Sequence, residues 1–256
     1  MTENEWLAST DPEKLFKHLT SVGPLPMRPL RLLAVACARR VEHLLTDEDA
    51  VGRRALEVAE EMAGGRAAPA AVGRLQQQAR SYSPTSDGTD YTADQRARHN
   101  VVQAAYNTLQ DDTGPDYTRP SRADCPRLGG DYLYEPSDLM EVMGYAIVAA
   151  HAAADDAGDW YTAESMKAER AGQAVLIRDV FGNPFRPVSR DPSWLTSDVV
   201  ALANGLEADR AFDRLPILAD ALEDAGCDSA EVLTHCRGPG PHVPGCWVVD
   251  LVLGRR

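Results

Sequence analysis

Five residues near the C-terminal end of the chain have side chains that bind metals or act as nucleophiles: Cys227, His235, Cys236, His242 and Cys246. Their pattern is C-x7-H-C-x5-H-x3-C, and a Gly-Pro-Gly-Pro stretch lies inside it. Structural zinc is held by four ligands in a tetrahedron, usually cysteine sulfur and histidine nitrogen, at about 2.0–2.3 Å. The residue types therefore allow a zinc site, although the close C-x2-C pair of common zinc fingers is missing.

The same residues have two other interpretations. Cys246 precedes Trp247 at a predicted helix start, where a small buried thiol packs well. His235 lies near a predicted helix C-terminus, where an imidazole can meet free carbonyl groups. Packing is the interpretation that the sequence favours. The third interpretation is a nucleophilic thiol, Cys236 or Cys246 with His242 as base, but no known cysteine-hydrolase signature surrounds these residues.

A second candidate site lies around the segment FGNPFRPVSR, which Arg178 precedes and which contains Arg186 and Arg190. Arginine binds carboxylate and phosphate groups through two parallel hydrogen bonds. The alternative, which we favour, is that these arginines pair with nearby acids such as Asp179 and Asp191.

From these residues we expect a binding surface in a groove between the C-terminal helices, bordered by Phe185, Arg186 and His242. A further pair, His151 and Asp155, is four residues apart and would share one face of a helix. Such a pair can bind a divalent metal, but a solvated helix end is the interpretation that we favour.

Composition limits the class of protein. The chain has 256 residues, of which 44% are hydrophobic and only 6% aromatic, and its formal net charge is −13. An acidic chain is repelled by phosphate backbones, which disfavours nucleic acid as a partner. The sequence contains no run of about 18 apolar residues, so we predict no membrane span. The polar, acidic start and the odd number of cysteines predict a reducing, cytoplasmic location.

Helix signals recur along the chain. Apolar residues in RPLRLLAVACARRVEHLL and in DRLPILADALEDAG repeat at spacings of three and four, which is typical of amphipathic helices. No hairpin signal occurs. We therefore predict an all-α, irregular bundle of roughly nine or ten helices. The Pro- and Gly-rich segment 111–136 is predicted to be a linker or long loop between helical regions at 1–110 and 137–256.

Several phrases of the sequence resemble a group of uncharacterised bacterial proteins. They are EWLASTDPEKLFKHL near the start and FGNPFRP, LPILADALEDAGC, HCRGPGPH and GCWVVDLVLG near the end. Some members of that group carry an automated Smi1/Knr4-type label, which implies an α/β fold with an immunity or regulatory role. The helical pattern of this chain does not agree with that implied fold. The resemblance transfers no catalytic residue.

The sequence shows no complete catalytic pattern: G-x-S-x-G, H-E-x-x-H, a phosphate-binding G-K-[ST] loop and the kinase motifs are all missing. We therefore expect a non-catalytic protein-interaction or regulatory module that binds another protein and needs no cofactor, with a defence role as one version. The alternative is a zinc-binding protein or a metal-dependent hydrolase that uses the cysteines and histidines at 227–246.

Overall fold

The computed structural model describes residues 1–23, 25–82, 92–109, 138–153 and 164–255, and for 138–142 and 151–153 it describes the backbone only. Within these ranges the chain forms twelve α-helices and no strand, which confirms the all-α prediction. The helices are α1 (Glu3–Ala8), α2 (Pro12–Val22), α3 (Met27–Arg39), α4 (Ala50–Ala63), α5 (Pro69–Arg80), α6 (Ala93–Thr108), α7 (Asp138–Ala153), α8 (Glu164–Phe181), α9 (Ser197–Ala208), α10 (Leu215–Asp224), α11 (Ala230–Arg237) and α12 (Trp247–Leu253).

Twelve helices exceed the nine or ten that were predicted, because short helices carry too few apolar repeats to be recognised by periodicity. The shortest are α1, with six residues, and α12, with seven. Caps define the ends of several of them. The Thr2 and Glu5 side chains bond each other's backbone in a capping box that starts α1. Gly254, in the left-handed conformation, ends α12.

Two large groups of buried side chains form most of the interior, beside two smaller ones. The first, which we call the N-terminal core, is built by Trp6 and by helices α2 to α8, and includes Leu15, Leu33, Leu56 and Ile177. Helix α7 packs against α3 and α6, so the helices on either side of the segment 111–136 contact one another. That segment and residues 154–163 lie outside the described residues.

The second group, the C-terminal core, is built by α9 to α12. Helix α12 is short but lies almost wholly inside it, since six of its seven residues are buried. Apart from Asp250, α12 is apolar on every face, as is typical of a helix in a protein interior. Helix α12 also contacts α8, and so joins the C-terminal core to the N-terminal one.

None of the described helices is both long and apolar enough to span a lipid bilayer.

Candidate metal centre

Four side chains converge where α8 meets the C-terminal core: Asp179, His235, His242 and Cys246. Each comes from a different segment. Asp179 lies near the end of α8, His235 on α11, His242 in the connection between α11 and α12, and Cys246 at the N-cap of α12. One donor atom from each residue lies within 4.8 Å of the donors of the other three.

The shortest contacts of the centre involve Asp179 and His235. Asp179 Oδ1 lies 2.6 Å from Nδ1 of His242 and 3.2 Å from Nε2 of His235. The same His235 nitrogen lies 3.1 Å from the Cys246 sulfur. The second carboxylate oxygen of Asp179 accepts a hydrogen bond of 2.9 Å from the backbone N–H of Val243. Asp179 therefore fixes both the His242 ring and the backbone that follows it.

The backbone of the connection allows this approach. Gly240 and Gly245 both have positive φ angles, 73° and 92°, which glycine adopts without the steric cost of a Cβ atom. Gly245 lies against the side chain of Leu32 on α3, at a position where a Cβ atom would come within 2.9 Å of the Leu32 Cβ. These turns bring His242 and Cys246 back towards α8.

The centre is largely buried, although the side chains of His235 and His242 are 17% and 9% exposed. Asp179 is 3% exposed and Cys246 is 0% exposed. The indole of Trp247 lies beside the imidazole of His235, with ring centroids 5.2 Å apart. The Nε2 atom of His242 is buried and has no hydrogen-bond partner among the described residues.

Burial and charge affect the two acidic groups of the centre in opposite directions. Burial alone would raise the pKa of Asp179, but hydrogen bonds and charge interactions with His235 and His242 outweigh it, and the pKa is lowered. Burial raises the pKa of the Cys246 thiol well above its ordinary value, and the charge of Asp179 raises it further. Without a cation nearby, Asp179 is thus a carboxylate and Cys246 a neutral thiol.

This arrangement does not suit a nucleophilic cysteine. In a nucleophile–base–acid triad, the base contacts the nucleophile through one ring nitrogen and the acid through the other. Here the same nitrogen of His235 contacts both Cys246 and Asp179. A thiol with a raised pKa and no exposed surface is also a poor nucleophile, because the reactive form is the thiolate.

A tetrahedral metal ion suits the same geometry better. Bonds of about 2.0–2.3 Å place tetrahedral donors roughly 3.3–3.8 Å apart. The contacts of 3.1 Å and 3.2 Å at His235 lie just below that range. The 2.6 Å contact between Asp179 Oδ1 and His242 Nδ1 lies about 0.7 Å below it, so an ion would have to replace that hydrogen bond and move these two donors apart. Two nitrogens, one thiol sulfur and one carboxylate oxygen are all ligands that zinc accepts.

Three of the five residues that the sequence offered as metal ligands belong to this group, and Cys227 and Cys236 do not. Cys227 and Cys236 are buried in the C-terminal core. Burial raises the pKa of Cys236 to about 12 and also raises that of Cys227. Consecutive residues on a helix point about 100° apart. His235 and its neighbour Cys236 therefore face different surroundings.

Asp179 is the member of the centre that sequence spacing missed. It precedes His235 by more than 50 residues in the chain, and no local pattern links an acid at the end of one helix to a distant Cys/His cluster. The sequence offered it only as an ion-pair partner for neighbouring arginines. The only signal available was the charged pair Arg178 and Asp179 between the apolar residues Ile177 and Val180.

The residues predicted to border a binding groove have different surroundings. Phe185 is partly exposed and its ring stacks on the imidazole of His18, with centroids 5.0 Å apart. Arg186 is exposed and forms ion pairs with Glu3 and Glu231. His242 points into the metal centre instead. A binding role for these residues stays a prediction.

The other two arginines of this region bond to backbone carbonyl groups. Arg178 donates to the carbonyl oxygens of Trp6 and Ala174, among others. Arg190 donates to the carbonyl of Val252 in α12. They hold the chain together here rather than presenting free guanidinium groups. The predicted pair His151 and Asp155 lies outside the residues whose side chains are described.

Comparisons of the chain with protein-family models, with curated proteins and with solved structures gave no match. The resemblance to a group of bacterial proteins therefore stays a prediction, and function has to be argued from the geometry of the site.

Proposed function

We propose that this protein binds one zinc ion through Asp179, His235, His242 and Cys246, and that the ion has a structural role. The observation that carries the proposal is the convergence of four donors from four separate segments on one buried point. A bound ion would fasten the end of α8 to α11, to the connection after it, and to the start of α12.

The number of protein donors favours a structural ion over a catalytic one. Catalytic zinc sites use three protein ligands and keep the fourth position for water or substrate. Here four side chains surround the point, and Asp179 and Cys246 are buried. A metal-dependent hydrolase would need an open position, so the hydrolase version of the metal hypothesis has less support.

The kinds of donor favour zinc among the common metals. Calcium and magnesium prefer sites made of oxygen ligands, and this centre has one carboxylate. Imidazole and thiolate ligands suit zinc, and two histidines with one cysteine provide both. Binding requires Cys246 to lose its proton, so the ion would replace a buried neutral thiol by a thiolate paired with the metal.

The proposal is tested by elemental analysis of the full chain, purified without added metal or chelator. We expect about one equivalent of zinc, because structural zinc is bound with apparent free energies of about 10–16 kcal/mol. Cobalt added to the stripped protein should give the intense visible absorption of a tetrahedral site and a thiolate-to-metal charge-transfer band.

Matched cysteine variants make the test specific. We expect Cys246→Ser to lose zinc or to bind it at least about tenfold more weakly, as is typical when the environment of a metal is damaged. Cys236→Ser, also a fully buried cysteine, should keep the metal. Since either variant could fold poorly, helicity is measured by circular dichroism, and His235→Gln provides a second ligand variant.

Two results would overturn the proposal. One is less than about a tenth of an equivalent of zinc, together with no tetrahedral cobalt spectrum in the wild-type protein. The other is a Cys246→Ser variant that is folded and binds zinc as tightly as the wild-type chain.

A reducing, cytoplasmic location agrees with this proposal, since Cys37, Cys227, Cys236 and Cys246 are all free thiols in the described part of the chain. The second candidate function is the non-catalytic interaction module expected from the sequence. One feature of the C-terminal core favours it, a surface groove between α9 and α10.

A further inference from the structure

An open groove of about 580 Å³ lies between α9 and α10, on the surface of the C-terminal core. Its floor and walls are largely apolar and include Leu202, Leu206, Ile217 and Leu218. Ile217 is 53% exposed, so much of its side chain is accessible to a ligand. No residue of the metal centre lines the groove, so a ligand bound there would not depend on zinc.

Helix α9 lines the groove with one continuous face. The lining residues Asp198, Leu202, Gly205 and Asp209 are spaced by four, three and four. At about 100° per residue, positions 11 residues apart differ by only about 20° around the helix. Asp198 and Asp209 therefore lie on the same edge of α9, at opposite ends, about 16 Å apart along its axis.

The charges on the rim are available to a partner. Asp198 and Asp209 are exposed and form no ion pair with any described residue, and the same holds for Arg214 on the other side of the groove. The nearby acid Glu207 is not available in the same way, because it pairs with Arg28 and Arg255. The free acidic groups at the groove edge are therefore the two aspartates.

We propose that this groove binds an amphipathic helix of a partner protein, with an apolar face on Ile217 and Leu202 and basic side chains opposite Asp198 and Asp209. Helices bind grooves of this kind through apolar anchors at positions i, i+3 or i+4, and i+7. A helix with two basic residues about 11 positions apart spans the distance between the two aspartates.

Charge argues for a basic partner rather than a second copy of this chain. Each copy has a formal net charge of −13, so two copies repel one another, even though Arg214 lies on the rim together with the two aspartates. A basic helix gains from the same field, because complementary charge speeds encounter and fixes orientation. The apolar contact at Ile217 then supplies most of the binding free energy.

The test uses a fluorescein-labelled helical peptide of about 15 residues, with leucines on one face and two lysines 11 positions apart, chosen to match the spacing along α9. A second peptide has glutamate in place of each lysine. Binding to the full-length protein is measured by fluorescence anisotropy at about 0.15 M salt, where long-range attraction is largely screened. We expect the lysine peptide to bind and the glutamate peptide to bind at least about tenfold more weakly.

Protein variants locate the binding surface. Ile217→Asp should weaken binding of the lysine peptide at least about tenfold. Leu7→Asp, at a comparably exposed leucine on α1 (55% exposed), should leave binding unchanged. Asp198→Asn with Asp209→Asn should weaken binding several-fold, whereas Asp47→Asn with Asp228→Asn, which removes the same charge from exposed positions elsewhere, should not.

Three outcomes would overturn the inference. The first is that the lysine peptide fails to bind. The second is that the Ile217→Asp variant binds this peptide as tightly as the wild-type protein does. The third is that both pairs of aspartate substitutions weaken peptide binding equally. Equal weakening would mean that the peptide only follows the net charge of the protein. Circular dichroism of each variant confirms that it is folded.

Discussion

Gly245, immediately before Cys246, shows how single residues set the backbone near the candidate metal centre. Its φ angle is 92°, and a Cβ atom there would lie 2.9 Å from the Cβ of Leu32. Gly226 has a nearly identical φ of 89°, but a Cβ atom there would have nothing within 4 Å. The two glycines share the left-handed conformation, but only Gly245 has a close neighbour. Comparing alanine variants at the two positions therefore separates the cost of the conformation from the cost of the steric clash.

We expect Gly245→Ala to destabilise the protein more than Gly226→Ala does. The left-handed conformation costs an alanine about 1–2 kcal/mol at either position. At Gly245, contact with the Leu32 Cβ adds about 1–3 kcal/mol, because neither atom lies at the flexible end of a side chain. Urea denaturation of both variants measures the difference, and equal free energies of unfolding would contradict the expectation.

Helix α2 shows how one residue can both begin an element and position it. The Asp11 carboxylate accepts hydrogen bonds from the backbone N–H groups of Glu13 and Lys14. The same oxygen lies 2.8 Å from the guanidinium of Arg170 on α8. The N-cap thus also ties α2 to the helix that carries Asp179.

Replacing Asp11 in two ways separates these contributions. Asp11→Ser keeps a side-chain cap and loses the ion pair, whereas Asp11→Ala loses both. We expect Asp11→Ala to be about 1 kcal/mol less stable than Asp11→Ser, which is the typical value of an N-cap. The ion pair is partly exposed, so Asp11→Ser should cost less than about 1 kcal/mol. Thermal or urea unfolding measures both, and equal stabilities would show that the cap contributes nothing.

At the scale of the whole molecule, Arg28 joins the two ends of the chain. Its guanidinium binds both carboxylate oxygens of Asp250 on α12 at 3.1 Å, and Glu207 on α9 at 3.1 Å. It also donates to the carbonyl of Ala63 at the end of α4. Asp250 is only 2% exposed, so Arg28 is the cation that faces a buried carboxylate.

We expect Arg28→Met to cost about 3–5 kcal/mol, because it leaves a buried carboxylate without its cation. Arg54→Met is the matched control, since Arg54 pairs with Glu57 and Glu61 at the surface and such pairs contribute about 0–1 kcal/mol. Adding Asp250→Leu to Arg28→Met should recover part of the loss. Urea denaturation measures these free energies of unfolding. Equal stability of Arg28→Met and Arg54→Met would contradict the role of Arg28.

Much of this protein is determined by local sequence. The spacing of three and four among apolar residues predicted the helices, because an amphipathic helix needs one apolar stripe whatever it packs against. Helix α10 begins at Leu215, so Pro216 lies in its first turn, where proline costs no hydrogen bond. The cysteines and histidines at 227–246 also indicated side chains that are able to bind a metal.

Tertiary structure decided which of those residues meet. The Cys/His pattern could not show that Cys236 faces the C-terminal core while its neighbour His235 faces Asp179. That choice depends on how α11 is rotated against α8 and α12, which is set by packing between helices distant in sequence. The groove between α9 and α10 and the bond from Arg28 to Asp250 arise in the same way. Periodicity determines which face of a helix is buried, but only the assembled core determines what that face contacts.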